Sequence, residues 1–415
     1  MDDSSVEAGG PFRFEYEPGV LRGGGGAVDA LEEELAALGV ERALIVCGRT
    51  VGQVDAVIEP VTEGIGERLA GVFAETTPAK RLSTALSCRR RMAELDADGL
   101  VGLGGGSSLD VATVASVVAA SDREDAALAA EFADTGTLTV PEGPLVPIVS
   151  VPTTMAGADF SAAAGLTADP TEGLVSEPVD GGVSDPRLMP GAAIYDPALF
   201  ATTPPRILAA SAINGFDKGV ESLYARTATP VTDATAMRGL SLLVEGLEEY
   251  GQGTDGTRTT DASGVPAETF DRLVRGLVLV QYGVSRPDAT TLSIVHAFGH
   301  ALSRPFPLQQ GMAHGVVLPH VLEYLFERVD GRRALLAEAL GVGDREDPGA
   351  AVVEQIEALL ETLGVDHRLR DVDGPDRESL PVVAEAVMDD HLMATVPRGL
   401  DPTVEDMLDV LQAAW

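Results

Sequence analysis

The first half of the chain alternates short unbroken apolar runs with segments of helical period. Ala43-Leu44-Ile45-Val46-Cys47, Gly99-Leu100-Val101-Gly102-Leu103, Leu145 to Val151 and Ala193-Ile194-Tyr195 are such runs, bounded by turn residues. Runs of this length read as strands buried on both faces. Further strands are expected near Leu69 to Phe73 and at Phe12 to Tyr16. Helical patterns cover Val28 to Leu38 and Ala79 to Leu95, and another begins at Val111. Strands alternating with helices imply a parallel sheet covered on both faces. Residues 168–190, rich in Gly, Pro and Asp, read as a hairpin or a long loop. Near Thr203 the period changes. Pro204-Pro205 opens helical patterns that run almost to Trp415, broken around 251–265, 341–348 and 365–376. Two domains follow: an α/β domain over 1–203 and an all-helical domain over 204–415.

Composition narrows the setting. Hydrophobic residues make up 45% of the 415 residues and aromatics only 4%, so the cores must be built from Ala, Val and Leu. The net charge of −36 is spread along the chain, with Lys80 and Lys218 the only lysines. An acidic surface of this kind repels itself unless salt screens it, and a salt-rich cytoplasm, as in a halophile, accounts for it. It argues against nucleic acid and anionic membrane as partners, which both favour basic patches. Cys47 and Cys88 are too few for a disulfide framework and suit a reducing interior. The acidic start, Met1-Asp2-Asp3, has no apolar core of a signal peptide. The expectation is a cytoplasmic protein.

Three stretches carry candidate chemistry. The run at 99–103 leads into Gly104-Gly105-Gly106-Ser107-Ser108-Leu109-Asp110, then a helix. Strand, glycine loop and helix N-terminus together make a phosphate cradle, because free N–H groups and positive potential meet the ligand where no side chain intervenes. A tight turn with no ligand is the alternative, and the loop is not the spaced G-x-G-x-x-G fingerprint. Thr153 and Thr154 end another strand, where their hydroxyls either meet a ligand or cap a turn. In the helical half, Asp217 and Glu221 are i,i+4 on an apolar helix, as are His296 and His300 on another and Gln310 and His314 on a third. Buried carboxylates repel each other unless a cation or donor intervenes. Carboxylates and imidazoles together suit zinc, iron or manganese.

These motifs, in this order, resemble the iron-containing (group III) alcohol dehydrogenase superfamily over nearly the whole length. The carriers are Gly104 to Asp110, Pro152-Thr153-Thr154, Tyr195-Asp196-Pro197, Asn214-Gly215-Phe216-Asp217, Val295-His296 with Gly299-His300, and Leu318-Pro319-His320. Thr154-Met155-Ala156-Gly157-Ala158, Glu221 to Ala225 and the ending Leu411 to Trp415 lean toward the maleylacetate reductase branch. The resemblance implies the dehydroquinate synthase-like fold: an α/β nucleotide-binding domain and an all-α domain, with the site in the cleft between them. It implies hydride transfer between NAD(P) and an alcohol, aldehyde or keto acid, and a homo-oligomer such as a dimer. Gly104, Gly105, Gly106, Ser107, Asp110, Thr153 and Thr154 would then serve the nucleotide. Gly48-Arg49 stands where NAD-selecting members carry an Asp, so NADP is expected to be accepted beside NAD. The family holds a divalent metal with an Asp, a His four residues on, and two further His. Asp217 and His296 match the first and third of these. Glu221 and Gln310 stand at the other two, with His314 one turn later as the substitute for Gln310. Such a set would bind Fe, Zn or Mn, or would have lost its metal, as maleylacetate reductases are thought to need none. His296 and His300 are the catalytic candidates, and Arg304 is either a substrate-carboxylate partner or a surface arginine. The rival readings are a metal-dependent lyase of the dehydroquinate synthase kind and a degenerate nucleotide binder without activity.

Overall fold

The computed structural model describes residues 12–16, 19–255, 262, 264–287 and 289–415. The chain divides into two compact units, 17–203 and 204–415, and the described residues 12–16 go with the second.

The first unit contains β1 (Val20–Gly23), α1 (Leu31–Ala37), β2 (Ala43–Gly48), α2 (Asp55–Ile65), β3 (Leu69–Thr76), α3 (Leu82–Leu95), β4 (Gly99–Gly104), α4 (Gly106–Ala119), α5 (Asp125–Thr135) and β5 (Ile148–Pro152). A hairpin of β6 (Ala163–Ala168) and β7 (Val179–Ser184), then β8 (Ala192–Tyr195) and α6 (Pro197–Ala201), complete it. Six strands form one sheet in the order β1-β8-β5-β4-β2-β3, and every neighbouring pair is parallel. Alternate residues of each strand feed opposite faces. Leu44, Val46 and Leu100 pack with Leu82, Leu86, Val111 and Val114 of α3 and α4. Ala43, Ile45, Cys47, Val101 and Leu103 pack with Leu31, Leu35, Val57 and Val61 of α1 and α2 on the other side. Burial on both faces is why these strands read as continuous apolar runs rather than alternating ones. The chain runs from β2 outward to β3, then returns to lay β4 on the other side of β2. Where strand order reverses like this, the helices diverge and leave a crevice beyond the carboxyl ends of the two strands. Gly48-Arg49 and Gly104-Gly105 stand at those two ends. The stretch 168–190 proves to hold the return strand of the antiparallel β6–β7 hairpin.

The second unit holds nine helices among its described residues: α7 (Pro205–Tyr224), α8 (Pro230–Gly253), α9 (Ala267–Gln281), α10 (Ile294–Ser303), α11 (Gln310–Arg328), α12 (Arg333–Ala339), α13 (Pro348–Thr362), α14 (Leu380–Met388) and α15 (Val404–Ala413). In α7 every residue from Leu208 to Tyr224 is buried. A helix apolar on most sides and buried all round is a central one, and α8, α9 and α11 pack around it. Its polar side chains from Ser211 onward, Asp217 and Glu221 among them, are therefore inside. Phe12 to Tyr16, expected as a strand, makes none. Phe14 and Tyr16 instead lay their rings on Tyr282, and the Arg286 guanidinium sits 5.3 Å from the Phe14 ring centre. Aromatic burial and a cation–π contact take the place of sheet pairing. Among the described residues no helix is long and apolar enough to cross a membrane.

Candidate active site

In the first unit, β4 ends at Gly104 with φ +126°, a conformation that side chains resist. The chain then turns straight into α4. That helix starts at Gly106, not near Val111 as the apolar pattern suggested, with Gly105 at its N-cap. Ser107, Ser108 and Asp110 therefore belong to its first turns; the Ser108 N–H donates to the Gly105 carbonyl at 2.9 Å, and the N–H groups before it are the ones that lack intrahelical partners. No side chain caps this end. The loop is held from below. Ser108 Oγ meets Thr76 Oγ1 at 2.7 Å. Asp110 takes Lys80 Nζ and the Gly165 N–H. The Thr153 N–H donates to the Gly104 carbonyl at 3.0 Å, and the Thr153 carbonyl accepts from Thr203 Oγ1 at 2.7 Å. The Thr154 side chain flanks Gly105, where a Cβ would lie 3.3 Å from its methyl group. Arg49, after β2, is exposed. A glycine-walled helix N-terminus at the sheet's switch point is suited to a pyrophosphate.

In the second unit, α7, α10 and α11 bring Asp217, His296 and His314 together, all buried. One ligand-capable atom from each lies within 4.8 Å of the others. His296 Nδ1 is 3.1 Å and His314 Nδ1 3.2 Å from Asp217 Oδ2. The two imidazoles meet edge to face, 4.4 Å between ring centres. Gly299 makes room for His314: a Cβ there would fall 2.1 Å from its Nε2. His314 is thus the second imidazole of the cluster. Gln310 begins α11 and is half-buried, with its Cγ near Gly299. His320 pairs with Glu323 instead.

Glu221 lies on the same face as Asp217 but is engaged otherwise. It accepts the backbone N–H groups of Ser293 and Val295, each at 2.8 Å, and of His296 at 3.2 Å. Its Oε2 also meets His296 Nδ1 at 2.6 Å, and Tyr224 Oη donates to its Oε1 at 3.3 Å. It therefore caps the N-terminus of α10, satisfying orphan donors with a charge of the favoured sign. As an acceptor it also draws the proton of His296 onto Nδ1, leaving Nε2 with its lone pair.

Burial sets the electrostatics. It pushes the Asp217 carboxyl up to about 7, with Glu221 adding repulsion and His296 opposing. Burial pushes Glu221 up as well, while the three backbone N–H groups favour its ionised form. Burial drives both His296 and His314 down to about 3, so both rings are neutral at pH 7. Both Asp217 oxygens, His296 Nε2 and both His314 nitrogens are buried with no hydrogen-bond partner. Leaving so many polar atoms unsatisfied is costly. A divalent cation would engage acceptor atoms of all three side chains, and a carboxylate with two neutral imidazoles is a fitting donor set.

His300, one turn beyond His296, is partly exposed, and its Nδ1 lies 2.9 Å from Asp390 Oδ2. Asp390 was not singled out in the sequence. It sits 90 residues away in an acidic stretch and carries no motif. Arg304 is exposed, 3.9 Å from the same carboxylate.

Both halves of the chain match profiles of one family. The profile of the iron-containing alcohol dehydrogenases matches residues 18–197. The C-terminal profile of the same family matches 208–415. Lactaldehyde reductase of Escherichia coli (strain K12) is 26% identical over 403 residues, 94% of this chain and 97% of the relative. Maleylacetate reductase of Pseudomonas aeruginosa is 29% identical over 401 residues, 94% of each. Among solved structures, sulfoacetaldehyde reductase from Bifidobacterium kashiwanohense, in complex with NAD+, shares the fold. Its TM-score is 0.81 at 19% identity, over 97% of this chain and 99% of that one. The two profiles leave little of the chain unmatched, and the chain belongs to the iron-containing alcohol dehydrogenase family.

Proposed function

We propose that the chain moves a hydride between a nicotinamide nucleotide and the carbon of a small alcohol or carbonyl compound, with Asp217, His296 and His314 holding a divalent cation. The observation that carries this is the buried cluster of one carboxylate and two neutral imidazoles, with acceptor atoms of all three unpartnered. The chain's relatives include a lactaldehyde reductase, a long-chain-alcohol dehydrogenase and an NAD-dependent methanol dehydrogenase.

The open N-terminus of α4 receives the pyrophosphate through backbone N–H groups of Gly105 to Ser107. Thr153 and Thr154 lie alongside and fix the depth at which the nucleotide sits. Gly48 offers no acid to the ribose 2′ position and Arg49 offers a cation, so NADPH is the better partner. When bound, the nicotinamide supplies or accepts the hydride, and the cation stabilises charge on the substrate oxygen. In the oxidation direction the alcohol loses its C–H as hydride and its O–H as a proton. His300 takes that proton on Nε2, and in reduction it returns it. Glu221 keeps His296 oriented from behind. The substrate is a small aldehyde, keto acid or the matching alcohol. The chain acts as a homodimer, and β1 and β3, the edge strands of the sheet among the described residues, are where a second copy would pair.

The test follows NADPH and NADH absorbance with a panel of aldehydes and keto acids, with added zinc, manganese or ferrous iron in turn. Metal-dependent oxidation of the nucleotide is expected. Nucleotide binding without turnover on any substrate would leave a binding protein and overturn the proposal.

A further inference from the structure

We infer that Asp390 is a positioning residue for His300: it fixes the imidazole as the Nδ1–H tautomer and keeps Nε2 as the free acceptor for the substrate proton. The inference rests on the proton-relay role of His300 proposed above, and its first readout is independent of turnover.

The two oxygens of Asp390 are divided between two tasks. Oδ1 accepts the Leu392 N–H at 2.9 Å and caps the short turn His391–Thr395. Oδ2 faces His300 Nδ1 at 2.9 Å. The Asp390 side chain is 4% exposed, whereas His300 is 23% exposed. The carboxylate is thus the buried anchor and the imidazole the member that reaches outward. An ionised carboxylate only accepts hydrogen bonds, so the nitrogen facing it must carry the hydrogen. The other nitrogen is then left with its lone pair, and the buried anion favours the imidazolium that forms when it takes a proton.

The surroundings keep Asp390 ionised. His391 Nδ1 lies 3.3 Å from Oδ1, with its ring roughly parallel to that of His300 at 6.4 Å. The Arg304 guanidinium lies 3.9 Å from Oδ2. Burial pushes the carboxyl up, but the hydrogen bonds from His300 and the Leu392 N–H outweigh it and hold it below the usual range.

Asp390→Asn separates positioning from folding. Asn is as good a cap as Asp, so the turn is kept. Its amide oxygen must stay on the Leu392 N–H. That places the NH2 group against His300 Nδ1, donor against donor, unless the ring moves its proton to Nε2. Proton–nitrogen correlation spectra of protein with 15N-labelled imidazoles read this directly, with the His300 signals assigned by their loss in His300→Gln. The wild type should show the Nδ1–H tautomer and Asp390→Asn the Nε2–H tautomer. Turnover in Asp390→Asn should fall by roughly 10²- to 10⁴-fold, the range of general acid–base contributions, with KM little changed. Asp390→Glu should recover part of it, and His300→Gln/Asp390→Asn should be no slower than His300→Gln alone. An unchanged tautomer in Asp390→Asn would overturn the positioning claim even if no substrate were found. A flipped tautomer with undiminished turnover, or full additivity in the double variant, would overturn the link to proton transfer.

Discussion

Gly299→Ala is a substitution whose sign depends on where His314 lies. Gly299 is in the interior of α10, flanked by Phe298 and His300. An alanine in a helix interior is ordinarily favourable by about 0.5–1 kcal/mol over glycine, because glycine loses more backbone freedom on folding. Here a Cβ would stand 2.1 Å from His314 Nε2, 2.5 Å from its Cδ2 and 3.3 Å from Gln310 Cγ. The first two separations are far inside van der Waals contact. The ring cannot swing into solvent, since His314 is fully buried. Overpacking of this kind costs about 1–3 kcal/mol, so the propensity gain is cancelled or exceeded and net destabilisation of the order of 1 kcal/mol follows. The displaced ring should also weaken divalent-metal binding by at least tenfold. Urea unfolding and metal titration by calorimetry measure the two effects. In a His314→Ala background the same substitution has room, and its sign should reverse to mildly stabilising, a coupling that a double-mutant cycle isolates. Gly299→Ala more stable than wild type, with metal affinity intact, would show that the imidazole does not occupy this space.

Other outcomes follow from the same geometry. Because the Asp217 carboxyl is pushed up to about 7 and the two imidazoles down to about 3, the carboxyl is the proton's competitor with the metal. Metal affinity should fall about tenfold per pH unit below about pH 7, with about one proton released on binding, whereas release of two or more would show that the imidazoles compete as well. Gly48→Asp should turn preference from NADPH to NADH, lowering kcat/KM for NADPH by roughly tenfold or more, equivalent to about 1.4 kcal/mol. A Cβ there would meet only Thr76 backbone and hydroxyl oxygens at 3.5–3.6 Å, ordinary contact, so unchanged unfolding behaviour should accompany the switch. With 65 Asp and Glu against 29 Lys and Arg, stability should rise steeply between 0.1 and 1 M salt, as the screening length shrinks from about 10 to about 3 Å. A flat salt response in thermal melts would argue against self-repulsion as a controlling force.

What could be read from the chain alone was what local pattern and local motif determine. The buried strands declared themselves as apolar runs, and three glycines between a strand and a helix marked the cradle. Pro204-Pro205 marked where the helices take over. The start of α4 was harder to place, because Ser107, Ser108 and Asp110 are polar and the apolar period becomes visible only at Val111. The remaining difficulties concern contacts across long stretches of chain. The i,i+4 spacing put Glu221 on the face of Asp217 and made it look like a substituted metal ligand. Its actual partners are N–H groups 72 to 75 residues away, at the point where α10 begins. Gapless counting favoured Gln310 over His314, but the packing of α11 on Gly299 of α10 is what brings the His314 ring to Asp217. Asp390 carried no local signal at all. One acid among 65 becomes informative only when its partner is seen.

The central claim is that this chain transfers a hydride stereospecifically from a nicotinamide to a carbonyl carbon. NADPH carrying deuterium at either the R or the S position of C4 tests it directly, in single-turnover reactions with a reducible aldehyde followed by mass and NMR analysis of the alcohol. One deuterium is expected on the carbinol carbon from one labelled face, none from the other, and none from deuterated solvent. Alcohol formed without that deuterium, or with deuterium drawn from solvent at the carbinol carbon, would contradict it.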